Sequence, residues 1–176
     1  VLMYTGGTTG VPKAAQLTQR NIQANAVQIR AWLPRMRRGE ESILASLPLF
    51  HCYGMTTCMN LAILTAGSMI LIPNPRVMPH ILKSINKHHP TLYPGVPALY
   101  VAINNYPDLD SYDVSSIRAC ISGAAPLPVE VQEKFQELTG ARLVEGYGLS
   151  EATPVTHANP IFGDNRIGTI GLPFPS

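Results

Sequence analysis

Short apolar runs, each closed by glycine, proline or a polar turn, alternate along this chain with segments of helical period. The runs 43–47, 68–72, 91–93, 117–121 and 143–145 are too short for helices and read as buried strands. Between them lie helical patterns. Thr18 can cap a helix whose Ile22, Ala26, Ile29 and Leu33 share one face, and Pro34 ends it. Residues 53–66 read as a helix stopped by Gly67, and 79–87 as another. Residues 96–104 read as a fourth, with Pro97 tolerated in its first turn. Pro128 starts the last helix, whose Val131, Phe135 and Leu138 share a face. Its Glu130 and Glu133 suit the positive end, and Gly140 stops it. No internal repeat is visible. Strand and helix in alternation predict an α/β fold with a mainly parallel sheet and helices on both faces, the run 143–145 being its last strand.

In such sheets ligands bind beyond the carboxyl ends of the strands. His51, Gly95, Gly123 and Tyr147 each follow a predicted strand directly, which puts them on one edge. The richest segment lies ahead of the first of these strands. Thr5, Gly6, Gly7, Thr8, Thr9 and Gly10, followed by Lys13, combine glycines that let a backbone approach an anion with hydroxyl donors and a cation. Such a loop suits a polyphosphate. It is not a Walker loop, because Pro12 precedes the lysine and Ala14 follows it, so the metal-binding hydroxyl is missing.

The string from Thr5 to Lys13 resembles the phosphate loop of the adenylate-forming superfamily: acyl-CoA synthetases, luciferases and nonribosomal adenylation domains. Three more segments carry the resemblance. Leu47, Pro48, Leu49, Phe50 and His51 are similar to the family's Pro-Leu-x-His segment, and Ser122 to Leu127 to its Gly-Ala-Pro-Leu turn. Glu145, Gly146, Tyr147, Gly148, Leu149, Ser150 and Glu151 are similar to its Tyr-Gly-x-Thr-Glu motif, with Ser150 in the threonine place. Ala14 departs from the family's usual glycine. The wording of the first loop and of residues 168–173 leans toward bacterial long-chain fatty acyl-CoA ligases.

The resemblance implies a two-step reaction. A carboxylic acid, here a fatty acid, attacks the α-phosphate of ATP to give an acyl-adenylate and pyrophosphate; coenzyme A then displaces AMP. It implies that Thr5–Gly10 and Lys13 hold the β- and γ-phosphates, and that His51 lies near the reacting carboxylate. Gly123, Ala124 and Ala125 would run along adenine and the acyl group. Glu151 is the expected Mg²⁺ ligand, since Mg²⁺ takes one or two carboxylates beside substrate phosphates. Tyr147 offers a flat face to adenine, and the flanking Gly146 and Gly148 favour close approach. Tyr53, Gly95 and Val96 are candidates for the acyl pocket, whereas His80, His88, His89 and His157 read as surface or loop residues. Other enzymes of the superfamily, and a non-catalytic nucleotide-binding or interaction module, remain alternatives.

Composition bounds the rest. At 176 residues and 45% apolar content the chain can bury a core, but only 14% is charged, against about 25% in typical soluble proteins. Surface of this kind is suited to cover by more protein, or to self-association. The chain opens in an apolar strand and stops in a proline-rich connection. It therefore reads as a piece of an N-terminal AMP-binding domain, inactive alone, with the family's ribose-binding aspartate and catalytic lysine beyond it. A net charge of +2 is too small for nucleic-acid binding through overall field. Arg35, Arg37 and Arg38 could touch an anionic membrane, but three charges are few for a lipid-binding cluster and a solvated loop is the expectation. The longest apolar stretch, 61–72, falls short of the roughly 20 residues that span a bilayer. Cys52, Cys58 and Cys120 form no paired framework, and reduced cytoplasmic thiols are expected. Cys52, Cys58 and His51 lack the four ligands of a structural zinc site.

Overall fold

The computed structural model describes residues 1–6 and 10–175. The chain enters through a hairpin, β1 (Leu2–Thr5) antiparallel to β2 (Lys13–Gln16). Helix α1 (Gln19–Trp32) follows, and Thr18 closes a reciprocal capping box with Asn21. Next come β3 (Ser42–Ala45), α2 (Cys52–Gly54), a π-helical stretch (Met55–Asn60), α3 (Leu61–Thr65) and β4 (Ser68–Leu71). Then α4 (Met78–His88), β5 (Leu92–Gly95), α5 (Pro97–Asn104), β6 (Ala119–Ser122), α6 (Val129–Thr139) and β7 (Arg142–Gly148) alternate. Two strands finish the sheet, β8 (Val155–Ala158) and β9 (Leu172–Pro173).

Among the described residues the main sheet has seven strands in the order β4-β3-β5-β6-β7-β8-β9. Strands β3 to β7 are parallel and the last two antiparallel. Side chains of a strand alternate between faces, and here both faces are buried. Ile43, Leu92, Ala119, Ile121 and Val144 pack under Ile29, Cys58 and Leu61 on one side. Leu44, Tyr93, Cys120 and Leu143 pack under Ile81, Ile85, Tyr100 and Phe135 on the other. The parallel α/β fold expected from the alternation is the fold observed. Each fully buried aliphatic or phenylalanine side chain contributes on the order of 1.5–3 kcal/mol.

The departures have local causes. The strand expected over 143–145 extends through Gly148, and β8 and β9 follow it. Gly146 and Gly148 weaken a strand by propensity, yet a Cβ at Gly148 would collide with the Pro154 backbone, so pairing with β8 requires glycine there. His157, expected on the surface or in a loop, lies half-buried in β8 with its ring 6.4 Å from that of Tyr147; His80, His88 and His89 are exposed. Leu138 does not share the buried face of α6: it is 41% exposed, whereas Gln132 and Thr139 are buried. Gln132 earns that position by donating to the Leu143 carbonyl of β7 at 2.6 Å. The second helix ends in a left-handed Ala66 rather than at Gly67, and its middle turns are wider than an α-helix. Of the basic run, Arg35 stacks on Phe162 at 4.3 Å and Arg37 pairs with exposed Glu40.

At the amino ends of the strands, buried Glu41 ties three of them together. Its carboxylate accepts from the Arg37 amide at 2.9 Å, from Thr91 Oγ1 ahead of β5 at 2.6 Å, and from Arg118 ahead of β6 at 2.6 and 2.9 Å. Burial pushes this carboxyl upward, but hydrogen bonds from Thr91, the Arg37 amide and Arg118 outweigh it and hold it below the usual range. A lowered folded value means that the stabilisation is complete above the ordinary pKa of 4.5 and is lost as pH falls through the folded value. Glu41→Gln should therefore cost roughly 1.5–3 kcal/mol at neutral pH. In urea unfolding the gap between variant and parent should narrow below pH 4.5; a gap that widens in acid would contradict the assignment.

Candidate active site

The carboxyl edge of the sheet carries the predicted residues. His51 caps α2, and its Nδ1 accepts from the Tyr53 amide at 3.1 Å. With Nδ1 used as acceptor, the neutral ring carries its proton on Nε2. Tyr53 is the second residue of the helix. Its hydroxyl donates to the carbonyls of Ile121 at 2.7 Å and Gly95 at 3.2 Å, and its ring lies where a Cβ on Gly123 would come within 3.1 Å. That close approach explains why the turn after β6 starts with glycine. Ala124 next to it takes a left-handed φ of 69°, a strained conformation of the kind that persists at sites the surrounding structure over-determines.

Beyond these residues opens a pocket of about 250 Å³. Its walls include His51, Tyr53, Gly123, Ala124 and the run from Gly146 to Ser150, with Pro154 and Val155 behind. Tyr147 stands 45% exposed on its rim, its ring free on one side for a flat ligand. Glu145 is half-buried outside the pocket, and burial pushes its carboxyl above the usual range.

An open cleft of about 680 Å³ adjoins the pocket at His51 and Ser150. It is bounded by Tyr4, Thr5 and Gly6 on one side and by Phe50, His51, Ser150 and Glu151 on the other. Thus the hairpin that leads into the glycine-threonine loop, the histidine and the glutamate share one space. Glu151 is exposed in a short 3₁₀ turn, Ser150–Ala152. Gly7, Thr8 and Thr9 lie outside the described residues. Gly10 is exposed with φ 120°, a conformation open to glycine. Lys13 is exposed in β2 opposite Thr5 and does not line the cleft; Ala125 is exposed and does not line the pocket. Gly95 lies behind Tyr53 rather than on the pocket wall, and Val96 is likewise off it.

Sequence reasoning passed over Cys52, Ile121, Leu149, Pro154 and Val155, all on the pocket wall. The β-branched pair Val155–Thr156 after Pro154 was the available sign of a strand at that wall. For Mg²⁺ the fit is that of a substrate-borne ion. No group of three or more His, Cys, Asp or Glu stands together among the described residues, but a single exposed carboxylate facing a cleft suits an ion that arrives with phosphates.

The sequence and the fold are similar to those of known proteins. A long-chain-fatty-acid–CoA ligase of Bacillus subtilis (strain 168) is 52% identical over 100% of this chain, which spans 31% of that relative. The anthranilate CoA ligase AuaEII, solved with anthranoyl-AMP, superposes with a TM-score of 0.88 at 27% identity, over 98% of this chain and 33% of that one. ATP-bound MatB from Rhodopseudomonas palustris superposes with a TM-score of 0.83 at 28% identity, over 99% and 33%. This chain thus corresponds to about a third of the proteins it matches. The family model for AMP-binding enzymes matches residues 1–176, the full sequence given, and the chain belongs to that family.

Proposed function

We propose that this chain is a portion of the N-terminal AMP-binding domain of a long-chain fatty acid–CoA ligase that activates its substrate with ATP. The observation that carries the reading is the junction of two spaces: a pocket with an exposed tyrosine face, and a cleft shared by Thr5, Gly6, His51, Ser150 and Glu151. The fatty acid part of the reading is supported by the name of the Bacillus subtilis relative. The three cysteines are free and buried, in keeping with a cytoplasmic enzyme. No helix of the described residues is long and apolar enough to cross a membrane. Exposed Ile63 and Leu71 suit a surface covered by the remainder of the enzyme.

In this reading adenine stacks on Tyr147 and runs along Gly123 and Ala124, while Ala125 and Glu145 shape the turn behind. The β- and γ-phosphates lie against Thr5–Gly10, with Lys13 supplying charge from β2. His51 presents Nε2–H to the carboxylate, so that the nucleophile is held in line with the α-phosphorus. Attack forms the carboxylate–phosphorus bond and breaks the bond to pyrophosphate. The coenzyme A thiol, giving up its proton to solvent, then forms the carbon–sulfur bond at the acyl carbon, and AMP leaves with the electron pair of the broken acyl carbon–oxygen bond. Bound Mg²⁺ would neutralise charge on the departing phosphate oxygens. Glu151 would hold it, and Ser150 would add a hydroxyl to the same edge.

The reading is tested by pyrophosphate exchange in the intact enzyme with palmitate, benzoate and amino acids. Exchange that depends on palmitate is expected; exchange that depends only on an aryl or amino acid would replace the fatty acid reading. Glu151→Gln should depress exchange strongly and raise the Mg²⁺ concentration for half activity, yet largely spare thioester formation from supplied acyl-adenylate. Equal damage to both half-reactions would refute the metal role. Lys13→Ala should lose a charge-assisted contact of roughly 1.5–3 kcal/mol, about ten- to hundredfold in kcat/KM for ATP. An unchanged kcat/KM for ATP would remove Lys13 from the phosphate site.

A further inference from the structure

The loop that carries Ser150 and Glu151 has little apolar anchorage of its own. Leu149 and Glu151 are exposed, and Ser150 and Ala152 are half-buried. Its turns close locally through the Ala152 amide on the Leu149 carbonyl and the Leu149 amide on the Pro154 carbonyl, both at 2.9 Å. Ser150 Oγ meets Cys52 Sγ at 3.4 Å and Val155 enters the core, and the backbone of the returning limb is held by a pair of buried polar side chains from the helical layer. Asn25 of α1, 3% exposed, donates through Nδ2 to the Val155 carbonyl at 2.7 Å and accepts through Oδ1 from the Val155 amide at 3.1 Å. Thr56, fully buried in the π-helical stretch, donates through Oγ1 to the Thr153 carbonyl at 3.2 Å.

We propose that Asn25 and Thr56 are positioning residues that clamp the returning limb of this loop and so fix the Glu151 carboxylate against the cleft. The chemistry of each fits the task. An asparagine amide presents one donor and one acceptor side by side, and so matches the N–H and C=O of a strand residue as a neighbouring strand would. Aspartate would set a second acceptor against the Val155 carbonyl, and leucine would leave both Val155 groups buried without partners. Thr56 reaches the Thr153 carbonyl from a wide turn, and irregular turns of this type are frequent at functional sites. Thr153 itself is held at a φ of 79°, which a β-branched residue tolerates only when its surroundings dictate it. The consequence for catalysis rests on Glu151 as the magnesium ligand; the clamp itself rests only on the hydrogen bonds.

The test uses the intact enzyme with Asn25→Leu and the near-isosteric Thr56→Val, and with Thr56→Ser as the variant that restores a hydroxyl. Hydrogen–deuterium exchange without nucleotide or metal reads the clamp directly. Both disruptive variants should speed exchange of amides in 149–155 while leaving β5 and β6 protected, and Thr56→Ser should restore the parent pattern. Pyrophosphate exchange against Mg²⁺ reads the consequence. The half-saturating Mg²⁺ should rise by about tenfold, the scale of lost support around a metal ligand, while thioester formation from supplied acyl-adenylate stays within about twofold of the parent, this step needing no pyrophosphate-bound metal. Unchanged amide exchange in 149–155 overturns the clamp. Faster amide exchange with an unmoved Mg²⁺ requirement overturns the positioning role when Glu151→Gln raises that requirement, and overturns the metal role of Glu151 when Glu151→Gln leaves it unmoved as well.

Discussion

The carbonyl oxygen of Ile121, at the carboxyl end of β6, accepts hydroxyls from both faces of the sheet. Tyr53 reaches it from the layer of α1 and the π-helical stretch, and Tyr100 of α5 from the opposite layer, at 2.7 and 3.3 Å. Each tyrosine also bonds a carbonyl of β5: Tyr53 that of Gly95, Tyr100 that of Tyr93. Burial raises both phenols well above their usual range, so they stay protonated and remain donors. Two strand ends and two helical layers are thereby locked at the point where the site begins. The Gly123 turn leaves β6 directly under the Tyr53 ring, and the packing that fixes the sheet also sets the floor of the pocket.

The rest of the edge hangs from that lock by polar contacts. His51 is oriented by the amide of Tyr53, and Asn25 holds both backbone groups of Val155 at the start of β8. Strand β8 returns antiparallel beside β7 and turns the tyrosine motif from a loop into a supported rim. Glu41 performs the matching task at the amino ends. The sheet therefore offers a rigid platform at one end and a row of donors, small residues and one exposed carboxylate at the other, as sites that stabilise developing charge require.

Much of this was legible in the chain. The strand closed ahead of Pro73, the Thr18 cap and the Gly140 stop are local signals, and local chemistry decided them, whereas β5 runs on through Pro94 and Gly95. The order of the four segments likewise pointed to one edge and one family. What escaped depends on partners distant in sequence. Strand β8 is anchored by Asn25, 130 residues earlier, and no window of neighbouring residues contains that contact. Gln132 is buried because a carbonyl of β7 needs a donor, which a hydrophobic pattern favouring Leu138 does not register. Lys13 was read as part of a loop, and pairing with Thr5 makes it part of a hairpin.

The central claim is that this edge brings a carboxylate to the α-phosphorus of ATP. Isotope transfer tests it most directly. The intact enzyme is supplied with ATP, coenzyme A and palmitate labelled with ¹⁸O in its carboxyl group, and the nucleotide product is examined by mass spectrometry. Attack at the α-phosphorus predicts AMP carrying one labelled oxygen and unlabelled pyrophosphate. Label in inorganic phosphate, with ADP as the nucleotide product, would place the attack at the γ-phosphorus and contradict the account.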